Sequence, residues 1–207
     1  MKPTQQLELE ITTAVSAGLR ALGFEKQKHR FSKRIDKDRL GWCGLNIARK
    51  NISGIGVNPV VGLAFDPVEN FIKKIIPEHR EGTFRSSIGY LMPERRYLEW
   101  VISLHSPNDV EAKAKEIVTA VALYGLPFMN QFSSLEAVIE AQEQFQFTDR
   151  ASAIDRLPIL YNLAGRQEQA NTLLQKRSIE LAARDDWAAR DQKRLVAALM
   201  SGNSPRS

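Results

Sequence analysis

The apolar residues of this chain change period twice, and that pattern limits the folds open to it. Leu7, Ile11, Val15, Leu19 and Leu22 recur at helical spacing. From about residue 40 the spacing becomes two: Cys43, Leu45 and Ile47 alternate with Trp42, Asn46 and Ala48, and Ile55, Val57, Val61, Leu63 and Phe65 continue the alternation. After Leu104 only helical spacing remains. Strands grouped ahead of helices exclude a βαβ alternation and predict an α+β fold. The expected architecture is an antiparallel sheet of about five strands, the common size. Helices over 4–22 and 109–124 should cover it, and an all-helical C-terminal extension should follow.

Local signals divide this plan into elements. Thr4 is a suitable N-cap and Gly23 a suitable C′ residue for the first helix. Phe31 and Ile35 are spaced as on an edge strand, with a turn over 36–39. Residues 51–54 read as a second turn. Pro59 predicts an edge or a bulge, since proline has no N–H for a ladder. A short helix is expected over 68–76, then strands over 84–91 and 97–104. In the last strand Leu98, Trp100, Ile102 and Leu104 share a face.

Beyond it, Val110, Ala114, Ile117, Val118, Val121 and Tyr124 form a helical stripe that Gly125-Leu126-Pro127 should end. Ser133 or Ser134 should cap a helix running to Phe145. Two or three further helices should break near Pro158, Gly165 and Asp185-Asp186. The domain plan is an α+β domain over 1–130, a helical extension packed on it over 131–200, and a disordered tail over 201–207.

Composition excludes several classes. The 207 residues are 43% hydrophobic and 26% charged, in the range of folded globular chains. Cys43 is the single cysteine, which rules out an intramolecular disulfide and a four-cysteine zinc site and points to a reducing cytoplasm. No apolar run approaches the ~20 residues that span a bilayer, and the polar N-terminus carries no signal-peptide pattern. No membrane partner is expected.

Chemistry-bearing patterns are sparse. His29, His79 and His105 make no i, i+4 pair, so no helical zinc pair exists, and neither metal nor cofactor is expected. Cys43 lies on a strand face with Leu45 and Ile47 and reads as a buried, unreactive thiol. Gly54-Ile55-Gly56 lacks the third glycine and the following helix of a phosphate-binding turn. Glu111-Ala112-Lys113 has a nuclease-like spacing but sits in a helical pattern and reads as a solvated face. An enzyme reading would have to draw on His79, Arg85 and Glu99, which no motif connects, so no catalytic residue is assigned.

Charge is the distinctive feature. The chain carries 29 Lys and Arg against 24 Asp and Glu, a net +5. Residues 20–39 alone hold eight basic and three acidic side chains, which equals the whole excess. Read as strand, Lys26, Lys28, Arg30 and Arg34 share one parity, while Phe31, Lys33 and Ile35 share the other. The candidate binding set is Lys26, Lys28, Arg30, Lys33, Arg34 and Arg39. A row of cations would suit another protein with an acidic surface or a nucleic acid. Against this stands an edge strand kept soluble by its lysines.

Two stretches carry resemblances. Leu22-Gly23-Phe24, a basic stretch ending in Phe31, a Trp-bearing strand, and later Gly125-Leu126-Pro127-Phe128 before a serine-capped helix resemble a bacterial family known only as a domain of unknown function. That likeness covers about residues 4–145 and implies a fold and a bacterial source but no activity. Leu157 to Leu174, with Gly165 at the turn and Ala170 at the crossing, is similar to one helical hairpin of a tetratricopeptide repeat; the 34-residue period does not recur. The expectation is therefore a non-enzymatic protein-interaction module. Within that class an immunity or antitoxin-type partner protein is expected by fold-level analogy. The alternative is a nucleic-acid-binding protein using the hairpin 26–39.

Overall fold

The computed structural model describes residues 2–27, 30–50, 54–78, 82–106, 109–144 and 150–201. In chain order the elements are α1 (Pro3–Ala21), β1 (Glu25–Gln27), β2 (Arg30–Arg34), β3 (Arg39–Lys50), β4 (Gly54–Phe65), α2 (Asp66–Ile75), β5 (Phe84–Ser87), α3 (Ile88–Leu91), β6 (Trp100–Ser103), α4 (Asp109–Ala120), a π turn (Val121–Gly125), α5 (Leu126–Gln131), α6 (Leu135–Glu143), α7 (Arg150–Ala164), α8 (Gln167–Ala182) and α9 (Trp187–Met200). The fold is α+β: an open antiparallel sheet of six strands with helices, and a helical C-terminal region.

The chain forms two compact units. The first holds residues Met1–Leu63 and Arg85–Gln131, the second Ala64–Phe84 and Phe132–Ser207. Residues 64–84 thus group with the C-terminal helices.

In the first unit the strands run β1-β2-β3-β4-β5, and β6 also pairs with β4. The β1–β2 register sets Glu25 opposite Ser32 and Gln27 opposite Arg30. The β2–β3 register sets Phe31 opposite Cys43 and Ser32 opposite Trp42. Helix α1 begins at Pro3, with Lys2 as its N-cap, not at Thr4. Proline suits the first helical position because the N–H it lacks has no intrahelical partner there. Leu7, Ile11, Val15 and Leu19 are buried, as their spacing requires. Gly18 lets α1 and α4 approach closely: a Cβ there would stand 2.5 Å from Val118 Cγ2.

Every residue of β4 but Val60 is buried, so the strand is covered on both faces. Pro59 therefore sits in a central strand, not at an edge. The physical reason is that β4's second neighbour is split. Strand β6 pairs from Gly54–Ser103 to Val57–Trp100 and goes no further; β5 takes over beyond. Asn58, 4% exposed, lies at the changeover. Its Nδ2 donates to the Leu98 carbonyl at 2.6 Å and stands 2.7 Å from Ser87 Oγ, joining both half-strands to β4. A side-chain amide thus fills a gap where the ladder next to proline has no neighbour.

Three further expectations are corrected. The strand expected over 84–91 ends at Ser87, and Ile88–Leu91 is a helical turn whose Ile88 and Gly89 are buried. Gly125-Leu126-Pro127 does not end the helix after α4, because the chain passes through the π turn into α5. There the Leu126 N–H bonds the Val121 carbonyl, a widened turn, and Pro127 falls in the first turn of α5, where its missing donor costs nothing. Pro158 does not break α7. Ile159, Leu160 and Tyr161 next to it are all buried, and that burial outweighs one lost helical bond.

In the second unit, consecutive helices α6, α7, α8 and α9 each pack on the next, and α2 contacts α7 and α9. Ser134 caps α6 by accepting the Ala137 N–H, and Asp186 caps α9 by accepting that of Ala189. Helix α7 ends at Gly165 (φ 78°), with the Arg166 N–H on the Tyr161 carbonyl. Glu69, 2% exposed, accepts from Thr83 Oγ1 at 2.7 Å and from the Gly82 N–H at 3.1 Å, so the loop before β5 is tied to α2. The turn expected over 51–54 lies, except for Gly54, outside the described residues, as do Phe145 and the tail beyond Ser201.

Replacing Asn58 with alanine removes the donor to the Leu98 carbonyl. Leaving that group unpaired in a buried site is expected to cost about 1–3 kcal/mol. Urea denaturation should show a lower midpoint, with greater hydrogen exchange at β6 than at β2–β3.

Candidate functional site

The predicted row of cations is not assembled, and the register explains why. Lys26 pairs with Phe31, not with Arg30. Residues directly opposite in an antiparallel pair share a face. The chain reverses between Gln27 and Arg30, so the parity that joined Lys26 to Arg30 along a single strand is inverted. Lys26 falls on the face of Phe31 and Lys33; Arg30 and Arg34 fall on the other, with Trp42 opposite the Ser32 between them. Lys28 and His29 lie outside the described residues.

Several of the cations have local duties. Lys33 is half-buried and its Nζ donates to the Leu22 carbonyl at 2.7 Å, at the C-terminus of α1. That terminus closes as a Schellman turn. Gly23 (φ 82°) donates to the Arg20 carbonyl and Phe24 to that of Leu19. The Leu22-Gly23-Phe24 segment and Lys33 therefore form one helix-ending device, with the cation at the negative end of the helix. Arg39 meets Asp36 at 2.6 Å across the turn it closes, and that guanidinium holds the Asp36 carboxyl below its ordinary value. Arg30 lies over the Trp42 ring, 5.8 Å from its centroid. Arg34 and Lys26 are exposed.

Of the histidines, His79 lies outside the described residues and His105 is exposed. Arg85 is exposed on β5, and Glu99 packs its carboxylate over Gly56. Cys43 is fully buried, which pushes its thiol up to about 12. At neutral pH it is un-ionised, with no thiolate to act as a nucleophile. Among the described residues no group of three or more potential metal ligands occurs, and no helix is long and apolar enough to cross a membrane.

The feature with the geometry of a binding site lies elsewhere in the first unit. A groove of about 840 Å³ runs between the segment leading into β6 and the helix α4. Met92, Leu98, Trp100, Val101, Leu123 and Tyr124 give it apolar walls. Ala112 and Thr119 keep its helical side shallow, and Lys113, Lys115, Glu99 and Glu116 stand around it. Its volume falls within the ~300–1,000 Å³ common for ligand pockets. Val101 is 57% exposed and Leu123 60%.

The two walls are fixed to each other. Trp100 Nε1 donates to Glu116 Oε2 at 3.1 Å, and Lys113 Nζ reaches Glu116 Oε1 at 2.8 Å. The Trp100 ring itself is buried. Leu123 and Tyr124 reach the groove from the π turn, a departure from regular helix that recurs at functional sites. Among the described residues β6 pairs with β4 alone, so its other edge is open beside the groove.

Sequence reasoning missed this site, although a local trace of it was present. Val101 is apolar on the parity opposite to Trp100 and Ile102, and Leu123 lies outside the stripe that ends in Tyr124. Apolar residues out of phase with an otherwise regular pattern mark apolar surface that the fold leaves uncovered. Glu111-Ala112-Lys113, read as a solvated face, contributes Ala112 and Lys113 to the groove.

Comparison with protein families, with curated proteins and with solved structures gives no match.

Replacing Lys33 with methionine keeps the aliphatic stem and removes the ammonium that caps α1. A loss of about 1–2 kcal/mol is expected, against less than about 0.5 kcal/mol for Lys26→Met, an exposed surface change. Urea denaturation of the two variants separates a structural lysine from a surface one.

Proposed function

We propose that this protein acts by binding another protein, and that the groove between β6 and α4 in its first unit is the seat of that interaction. The observation that carries this reading is the pair of exposed aliphatic side chains, Val101 and Leu123, flanking a concave apolar surface whose walls are already held together by Trp100 and Glu116. Exposed apolar patches rimmed by polar groups mark interaction surfaces. A preformed groove also avoids part of the ordering cost of association.

The groove takes the place that the basic hairpin held in the sequence reading. Lys33 and Arg39 are committed to the helix end and the turn, and Arg30 and Arg34 stand on either side of Ser32, opposite Trp42, instead of in a row. A nucleic-acid partner of the hairpin would draw on those two arginines, and its binding would weaken steeply with salt. The narrower immunity or antitoxin role rests on analogy of fold class; the groove speaks for a protein partner without naming it.

The test compares two variants in a tagged protein purified from cells that express it natively, with nuclease treatment throughout. Leu123→Asp is expected to lose the co-purifying protein. Arg30→Glu combined with Arg34→Glu is expected to retain it. The reverse outcome would move the function to the hairpin, and loss of the partner on nuclease treatment alone would indicate a nucleic-acid bridge.

A further inference from the structure

The turn that follows α3 gathers four large side chains that the fold does not engage. Arg95 and Arg96 are exposed, and Tyr90 and Tyr97 are 40% and 58% exposed. Among the described residues, none of the four side chains has a hydrogen bond, an ion pair or a ring contact. Lys33, Arg39 and Arg30 of the basic hairpin, by contrast, are all engaged.

The backbone beneath the four is fixed. The Arg95 N–H bonds the Met92 carbonyl at 3.0 Å, and the Arg96 N–H bonds the Gly89 carbonyl at 3.2 Å. Gly89 lies so close to Arg96 and Leu98 that a Cβ there would collide with both. That approach sets Tyr90 beside Tyr97. Arg95 has a φ of 46° and is the one non-glycine residue with positive φ among the described residues. A side chain with a Cβ is disfavoured there, where glycine fits without cost. Backbone strain of this kind collects at functional sites, and here it is borne by an unpaired cation.

From these observations we infer that the turn binds single-stranded nucleic acid, with Arg95 and Arg96 on phosphates and Tyr90 and Tyr97 against base faces. The site is separate from the groove and does not depend on the protein-binding reading. Proteins that hold single strands combine cations for the backbone with aromatic rings on which bases stack. The turn has both, side by side and uncommitted. An acidic protein surface matches the guanidiniums alone. A duplex offers phosphates but encloses its base faces. A single strand carries a phosphate and an open base face in every nucleotide, so it matches both sets. Glu94 is the single acid between Gly89 and Tyr97, which leaves the turn net positive.

The experiment measures fluorescence anisotropy of labelled oligothymidylate and oligouridylate, about twelve nucleotides long, with the full-length protein at low salt. Both should bind, more tightly than a duplex of the same length, and the ratio of the two distinguishes DNA from RNA. The logarithm of the binding constant should fall with that of salt at a slope of about −1.4, for two phosphates on a single strand. Tyr97→Ala should weaken binding at least fivefold, with roughly that slope retained. Arg95→Gly should weaken binding and reduce the slope by about 0.7, while the urea midpoint holds or rises because glycine relieves the positive φ. Loss of binding without loss of stability separates a binding residue from a structural one.

Absence of binding at low salt overturns the inference, as does equal affinity for duplex and single strand. Undiminished binding by both Arg95→Gly and Tyr97→Ala, with loss in Arg30→Glu combined with Arg34→Glu, moves the site to the hairpin. Nuclease-resistant loss of a co-purifying protein in Tyr97→Ala, with no oligonucleotide bound, overturns it in favour of a protein contact. Leu123→Asp should leave oligonucleotide binding unchanged, so failure at the turn and failure at the groove are read separately.

Discussion

Asn58 ties strand β4 to the two segments that share its second edge. Strand β4 is buried on both faces and needs hydrogen-bonding neighbours on both edges. One edge is served by β3; the other is divided between β6 and β5, with Pro59 beside the changeover. The amide of Asn58 spans the division by reaching the Leu98 carbonyl and Ser87. Strand β6 begins at Trp100, whose indole N–H reaches Glu116 on α4. The segment that Asn58 anchors through the Leu98 carbonyl is the one that forms a wall of the groove.

Much of the fold was legible because burial enforces period. The change of spacing at Gly23 and again after Leu104 gave the α+β class, and the sheet and helices follow it. The prolines were misread for a single reason. Pro59, Pro127 and Pro158 each forbid one hydrogen bond, and a local reading converts that into an edge, a stop or a break. In the folded chain each loss is absorbed: by the side chain of Asn58, by a π turn that shifts the pairing, and by the burial of Ile159, Leu160 and Tyr161. Asn58 and Ile159 to Tyr161 stand beside their prolines, but what lets them compensate is burial and contact with distant residues such as Leu98.

The basic segment shows how a charge count differs from a charge pattern. Residues 20–39 hold an excess equal to the net +5 of the chain. In the fold, Lys33 terminates a helix, Arg39 closes a turn with Asp36, and Arg30 covers an indole. Reversal of the chain between Gln27 and Arg30 then sends Lys26 to the face opposite the two arginines. One reversal inverts the parity of everything after it, so a row of like charges predicted along a single strand becomes two small groups on opposite faces. The composition was right about where the charge is and uninformative about what it does.

The groove was out of reach for a different reason. Its walls come from two segments, 92–101 and 112–124, joined by one hydrogen bond from Trp100 to Glu116 on α4. Nothing in either segment alone specifies that approach. What each segment does carry is an apolar residue on the wrong phase, Val101 in a strand and Leu123 after a helix. Either one alone is an ordinary exposed hydrophobe. Their meeting across a concave surface distinguishes them from such residues, because about 25 cal/mol for each Å² of apolar surface then becomes available to a single partner that covers both.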